Sequence, residues 1–394
     1  MIAGLCLLSS PSGALSLECA DQQALVDDYL FAAFAKGNIS DAMRYTVNDE
    51  SFVFQWMSTT PNLARVGFAK TITGPDALFT FFGSVLSLVK DFKFGALPDA
   101  SVHQSPIPGI ETLAARCNDP SAPPVVVKRW FEHSMAATPP PSGVGTGLID
   151  NAENVAIYTF NRFGDKIQSV AVYVDISKYI DGLGTNYGDE VARRLSTARA
   201  PEGVPLMATP PAERLPSARG VGATGATCAA AQATVAGYAT AMKQGNLDAA
   251  FGFVQDSPST PFTFSWMSST PKLAAKGYLR SVSGRDGLSH FDAGTPGITG
   301  VAVSPVAPGV PTLAGLPDDA VVGVRCPSAG ETGAHAQVVT HAGLTATFTS
   351  TGQTMDSADV LFVYDLTADG SKITAVREYV DTEKFMWALQ VGAE

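Results

Sequence analysis

The chain opens into recognisable periodicities at Cys19. Between Cys19 and Lys36, Leu25, Tyr29 and Ala32/Ala33 fall at i, i+4 and i+7/i+8, and Gly37 stops the pattern, so this stretch predicts a helix. Residues 40–48 predict a second short helix, and the alternation over Ser51–Met57 predicts a strand. Gly74-Pro75-Asp76 opens a third helix, with proline at its first position and an acid favoured by the helix dipole; it carries Leu78, Phe79, Phe82, Val85, Leu86 and Val89. Strands then dominate, at Val125–His133, Asn154–Asn161 and Ile167–Val174. Asp175 ends that run and is placed to cap a final helix.

The same order returns. Trp56-Met57-Ser58-Thr59-Thr60-Pro61-Asn62-Leu63-Ala64, followed by Gly67, recurs as Trp266-Met267-Ser268-Ser269-Thr270-Pro271-Lys272-Leu273-Ala274, followed by Gly277. Other pairs keep step: Tyr29 with Tyr238, Gly37-Asn38 with Gly245-Asn246, Phe52/Phe54 with Phe262/Phe264, and Tyr173-Val174-Asp175 with Tyr379-Val380-Asp381. Strands are therefore expected at 336–342, 359–366 and 373–380, with a helix after Asp381. The counterpart of the third helix, 285–292, is much shorter. The chain is a two-copy duplication of units of about 165 residues, a domain length rather than a solenoid repeat. The expected division is 17–184 and 228–394, joined by a Pro/Gly/Ala-rich linker at 185–227.

Cysteine spacing repeats as well. Cys19 and Cys117 lie as far apart as Cys228 and Cys326, and the simplest reading is one disulfide per copy, the alternative being four buried thiols. Residues 1–16 are uncharged, apolar and then small, which predicts a signal peptide lacking the usual basic start and removing Cys6; a frayed tail is the alternative. With that reading the protein is secreted or lumenal, in an oxidising compartment. Charged residues make up only 16% of 394 and the net charge is −11, which argues against nucleic acid or anionic membranes as partners. No apolar run is long enough to cross a membrane as a helix.

The ordered set Phe54-x-Trp56…Gly67…Gly74-Pro75-Asp76-Ala77-Leu78…Phe81-Phe82, then Gly164-Asp165-Lys166-Ile167 and Tyr173-Val174-Asp175, resembles the SnoaL-like branch of the nuclear-transport-factor-2-like superfamily. Its second copy reads Phe264-x-Trp266…Gly277…Gly284-Arg285-Asp286-Gly287-Leu288, Gly370-Ser371-Lys372-Ile373 and Tyr379-Val380-Asp381. The resemblance implies an α+β fold of two tandem cone-shaped domains. Each would be a strongly curved antiparallel sheet wrapped around three to four helices, with an apolar pocket at the wide end. Because members of that family often dimerise through the outer sheet face, it also implies that the copies pack as an intramolecular pseudo-dimer.

Family pockets run isomerase, cyclase, dehydratase or epoxide-hydrolase reactions with an acid paired to His or Tyr. The candidates for such chemistry here are His133 and, across an alignment gap, His341. Strand-end histidines are more often structural. The paired aromatics Tyr29/Tyr238, Trp56/Trp266 and Tyr158/Tyr364 are candidates for pocket walls, and core packing accounts for them equally well. No HExxH, GxSxG, Walker loop or GxGxxG is present, and neither a metal nor a cofactor is expected. The resulting expectation is a module that binds an apolar small molecule or a protein partner. A pocket acid–base enzyme and a structural subunit of a larger complex are the alternatives.

Overall fold

The computed structural model describes residues 19–59, 63, 71–97, 107–117, 123–140, 145–184, 225–288, 298–304, 320–327 and 335–389. The expected leader lies outside these residues, as do 185–224 of the expected linker; Gly225, inside the expected linker, already begins a helix.

In the first repeat, α1 (Ala20–Leu30) runs into a wide π turn at Phe31–Ala35, where the Lys36 N–H donates to the Phe31 carbonyl. Gly37 then takes φ +61°, and the Asn38 side chain accepts from the Asp41 amide to start α2 (Ile39–Ala42). Strands β1 (Val53–Trp56) and β2 (Thr71–Thr73) precede α3 (Pro75–Leu88). Val89 opens a strand, β3 (Val89–Phe94), instead of closing that helix, because Val89 and Phe92 are the buried positions of an extended segment. β4 (Ile110–Arg116), β5 (Val125–Ala136), β6 (Leu148–Phe160), β7 (Ile167–Val174) and α4 (Ile176–Leu183) complete the unit.

The second repeat follows the same plan. It runs α5 (Gly225–Lys243), α6 (Leu247–Phe251), β8 (Thr263–Trp266), α7 (Pro271–Ala275), β9 (Ser281–Ser283), β10 (Ile298–Ser304) and β11 (Ala320–Arg325). Then come β12 (Ala336–Phe348), β13 (Thr354–Leu366), β14 (Ile373–Val380) and α8 (Thr382–Ala388). The Gly245-Asn246 pair repeats the earlier device, with φ +65° and the Asn246 side chain accepting from Ala249.

The strands form one sheet ordered β2-β1-β7-β6-β5-β4-β11-β12-β13-β14-β8-β9, in which β1–β7 and β8–β14 are the parallel pairs. β5 pairs with β4 along its first half and β3 along its second, and β12 does the same with β11 and β10. A long strand that changes partner midway, with register shifts at the change, curls the sheet around its helices. Two apolar cores result, one from residues 26–183 and one from 231–389.

A third buried cluster lies between the repeats on the opposite sheet face, with Val125, Val127, Ile157 and Tyr173 facing Val322, Val339, Leu361 and Tyr379. Tyr173 and Tyr379 meet edge to face at 6.1 Å. Both faces of β5–β7 and β12–β14 are thus covered, so apolar residues fall on both faces of these strands, and the charges among them, such as Lys128, Arg129 and Glu132 of β5, are buried. The repeats also touch through Ala115 on β4 and Val324 on β11. There a Cβ on Gly323 would sit 2.7 Å from that of Ala114. A buried ionic network crosses the same face: Glu111 holds Arg129 and Arg325, Glu153 lies 3.4 Å from Arg377, and Arg377 donates to Asp365 at 2.8 Å.

The cysteines join as Cys19–Cys117 and Cys228–Cys326, each tying the first helix of its repeat to the end of β4 or β11. The two acids expected as caps part ways. Asp381 accepts from the Lys384 amide, whereas the buried Asp175 accepts from Ser177 and from Arg280 of the second repeat.

Candidate functional site

Inside the first cone lies a cavity of about 50 Å³, walled by Phe34, Phe54, Trp56, Phe81, Phe82, Phe92, Trp130 and aliphatic residues of α3, β3 and β7. Alternation along β5 explains how it is furnished. Val126, Lys128, Trp130 and Glu132 point one way, into the cone, and Val127 and Arg129 the other. Lys128 is neutralised by Asp27 of α1 at 2.8 Å and bonds Thr112 at 2.9 Å, a buried pair that stops short of the cavity. Burial draws the Lys128 ammonium below its ordinary range.

One polar cluster reaches the cavity. Glu132, Asn154 of β6 and Tyr179 of α4 converge there from three elements. Ser134 donates to Glu132 Oε1 at 2.6 Å. Tyr179 Oη contacts both Glu132 Oε2 and, at 3.1 Å, Asn154 Oδ1. The Asn154 amide is oriented by its Nδ2, which donates to the Ala152 carbonyl at 3.0 Å, so it presents oxygen to the phenol. A phenol carries one proton and here faces two acceptors. The phenol donates to either acceptor, and with Glu132 protonated a second arrangement opens in which Glu132 gives to Tyr179 while Tyr179 gives to Asn154. Burial favours the protonated form and raises the Glu132 carboxyl above its ordinary range; it also raises the Tyr179 phenol far above its own.

Tyr29 and Tyr158 complete the wall, edge to face at 6.0 Å. The Tyr29 hydroxyl is buried and has no hydrogen-bond partner among the described residues. Three of the sequence candidates, Tyr29, Trp56 and Tyr158, therefore share one cavity. In the second repeat, Tyr238 and Tyr364 repeat the edge-to-face contact at 6.1 Å, and Trp266 packs on Phe385 at 4.8 Å.

The histidines lie elsewhere. His133 is 42% exposed, pairs with Asp150 at 2.9 Å and does not line the cavity. His341 is buried beside Asp359 at 3.2 Å and does not correspond to His133. Tyr158 lies opposite Val126 and Tyr364 opposite Val338, so three residues on, His341 matches Arg129, and Asp359 matches Glu153. His341–Asp359 is thus the second repeat's version of an outer-face ion pair.

The same register shows what became of the polar cluster. Glu132, Ser134, Asn154 and Tyr179 correspond to Leu344, Ala346, Val360 and Phe385. The Phe385 ring fills the second interior between Trp266, Tyr278 and Phe348. Glu132 and Tyr179 escape sequence reasoning because a lone Glu in a strand reads as solvated and Tyr179 reads as a helix core residue. The one usable signal was their simultaneous replacement in the second copy. Among the described residues no group of three or more His, Cys, Asp or Glu could hold a metal ion.

No family model matches the chain, and no curated protein does. Solved structures do match, among them NTF2-like and SnoaL-like proteins, the family that the sequence motifs resemble. One is an NTF2-like protein of unknown function from Burkholderia pseudomallei (12% identity, 41% of this chain, 98% of that one, TM-score 0.30). Another is an NTF2-like protein from Burkholderia xenovorans (17%, 40% and 94%, TM-score 0.25). A third is a provisionally assigned SnoaL-like polyketide cyclase from Shewanella denitrificans (16%, 42% and 97%, TM-score 0.28). Each spans about one repeat of this chain.

Proposed function

We propose that the first repeat binds a small, flat, largely apolar molecule bearing an oxygen function, seated among the cavity aromatics with its oxygen at the Glu132–Tyr179 end. The carrying observation is the contrast within one cavity: a wall of rings, a single hydrogen-bonded polar cluster, and a buried Tyr29 hydroxyl that lacks a partner among the described residues. A buried donor without a mate costs about 1–3 kcal/mol, which a ligand acceptor would recover. The arrangement open to a protonated Glu132 supports a second reading of the same site, in which neutral Glu132 acts as a general acid toward a carbonyl and assists isomerisation or cyclisation. His133 and His341 have no part in either reading.

The two repeats act as an intramolecular pseudo-dimer, divided at 17–184 and 228–394. The β4–β11 contact, the shared apolar cluster and the crossing ionic network support this arrangement. Two disulfides fit a secreted or lumenal setting.

Saturation-transfer NMR on the full chain with acetophenone and 2-naphthol tests the binding. The expected result is transfer to both, weakened roughly tenfold in Glu132→Leu/Tyr179→Phe. Equal binding by that variant, or no transfer to either probe, overturns it. The general-acid reading expects faster deuterium exchange at the methyl carbon of bound acetophenone in the wild type than in Glu132→Leu, and equal rates refute it.

A further inference from the structure

The second repeat carries, on its inner face, an acid that the first lacks. Strand β14 turns Val376 and Val380 into the second core, and Glu378 stands between them on the same face. Strand pairing sets Trp266 of β8 directly beside Glu378 on one side and Phe362 of β13 beside it on the other. Phe362 in turn stacks on Tyr364 at 5.9 Å and 28°. The corresponding residue of the first repeat is Val172, a wall of the first cavity, so Glu378 occupies a cavity-lining position of the fold.

This carboxyl has no hydrogen-bond or ion-pair partner among the described residues, and its side chain remains partly exposed. Its neighbour Arg377 points to the opposite face, where Asp365 and Glu153 hold it. Burial alone pushes the Glu378 carboxyl up to about 7. The titratable group beside it on this face is Tyr364, which burial keeps neutral. Trp266, Phe362, Val376 and Val380 are the neighbours named on this face that carry no charge.

We propose that Glu378, flanked by Trp266 and Phe362, is the anchor of a second binding site, specific for a small organic ammonium ion. The carboxylate supplies the counter-charge, and the indole and phenyl faces attract the cation's alkyl groups through their ring quadrupoles. A neutral guest would leave the charge unmet, and a bare metal ion would find no group of three or more acids, histidines or cysteines among the described residues. The site is independent of the first cone, whose anchor is a neutral acid with hydrogen-bonded neighbours.

The test uses the full disulfide-bonded chain, with tetramethylammonium as the probe and tert-butanol as its neutral isostere, followed by ligand-observed NMR. At about pH 8 the ammonium should bind with a dissociation constant on the order of 10 mM or tighter, and tert-butanol should not. Glu378→Gln should weaken binding roughly tenfold or more while leaving the melting profile cooperative, and about pH 5.5 should weaken the wild type similarly. Asp150→Asn, which removes an exposed acid of the first repeat, should leave ammonium binding unchanged. The proposal is overturned by undiminished binding in Glu378→Gln, by equal binding of tert-butanol, or by no binding of the ammonium at all.

Discussion

Removing one oxygen from the first cone should cost more than removing the whole polar network. In Tyr179→Phe, Glu132 Oε2 and Asn154 Oδ1 lose their common partner while both side chains remain buried, at 5% and 1% exposure. Each stranded group costs about 1–3 kcal/mol, so the variant should lose about 2–6 kcal/mol. The fourfold variant Glu132→Leu/Ser134→Ala/Asn154→Val/Tyr179→Phe installs what the second repeat already has at Leu344, Ala346, Val360 and Phe385. It strands nothing and should recover most of that loss, a coupling of about 2–4 kcal/mol among touching residues. The pH dependence has a definite sign. Burial raises the folded-state pKa of Glu132 above its unfolded value of about 4.3, so its contribution is fully present below that value and fades as pH rises through the folded one. The wild type should therefore lose ground to the fourfold variant as pH climbs from about 4.5 to 8. Urea unfolding at both pH values, followed by circular dichroism, measures this. A fourfold variant no more stable than Tyr179→Phe would refute the hydrogen-bond argument, and a gap that ignores pH would refute protonated Glu132.

Two further outcomes rest on other parts of the molecule. Arg377→Leu removes the charge-assisted bonds to Asp365 and the contact with Glu153 at the inter-repeat face, leaving Gln337 on Asp365 and Arg129 at 3.6 Å from Glu153, and should cost about 1.5–3 kcal/mol by thermal unfolding; a loss below about 1 kcal/mol would mean water already screens that network. Replacing Cys19 and Cys117 by Ser opens a closed span of 98 residues and should cost about 4–5 kcal/mol in the chain-entropy model, with the same result for Cys228 and Cys326. Chemical denaturation that finds unchanged stability in either pair would show that the unfolded chain was not constrained by the bond.

Periodicity, turn chemistry and repetition are local or linear properties, and they determined much of this protein. The helix ended by Gly37, the Pro75 helix start, the long strands of each copy and the cysteine pairing are legible because each is written within one segment or twice along the chain. Short edge strands such as Thr71–Thr73 are not legible, since three residues carry no period and are held by their neighbours.

Which face of a strand looks inward was decided only in three dimensions. Val125–Val127 is one apolar run in sequence, yet Val126 lines a cone while its neighbours meet the other repeat. That choice sent Glu132 into the first cavity and Glu378 to the inner face of the second repeat, and left His133 outside the cavity and His341 on the outer face beside Asp359. The sequence by itself determined two copies of one curled unit and where their chemistry-bearing residues sit along the chain. Only the tertiary structure decided which residues share a cavity, because sheet curvature, β-bulges and burial on both faces remove the polar alternation from which facing is read.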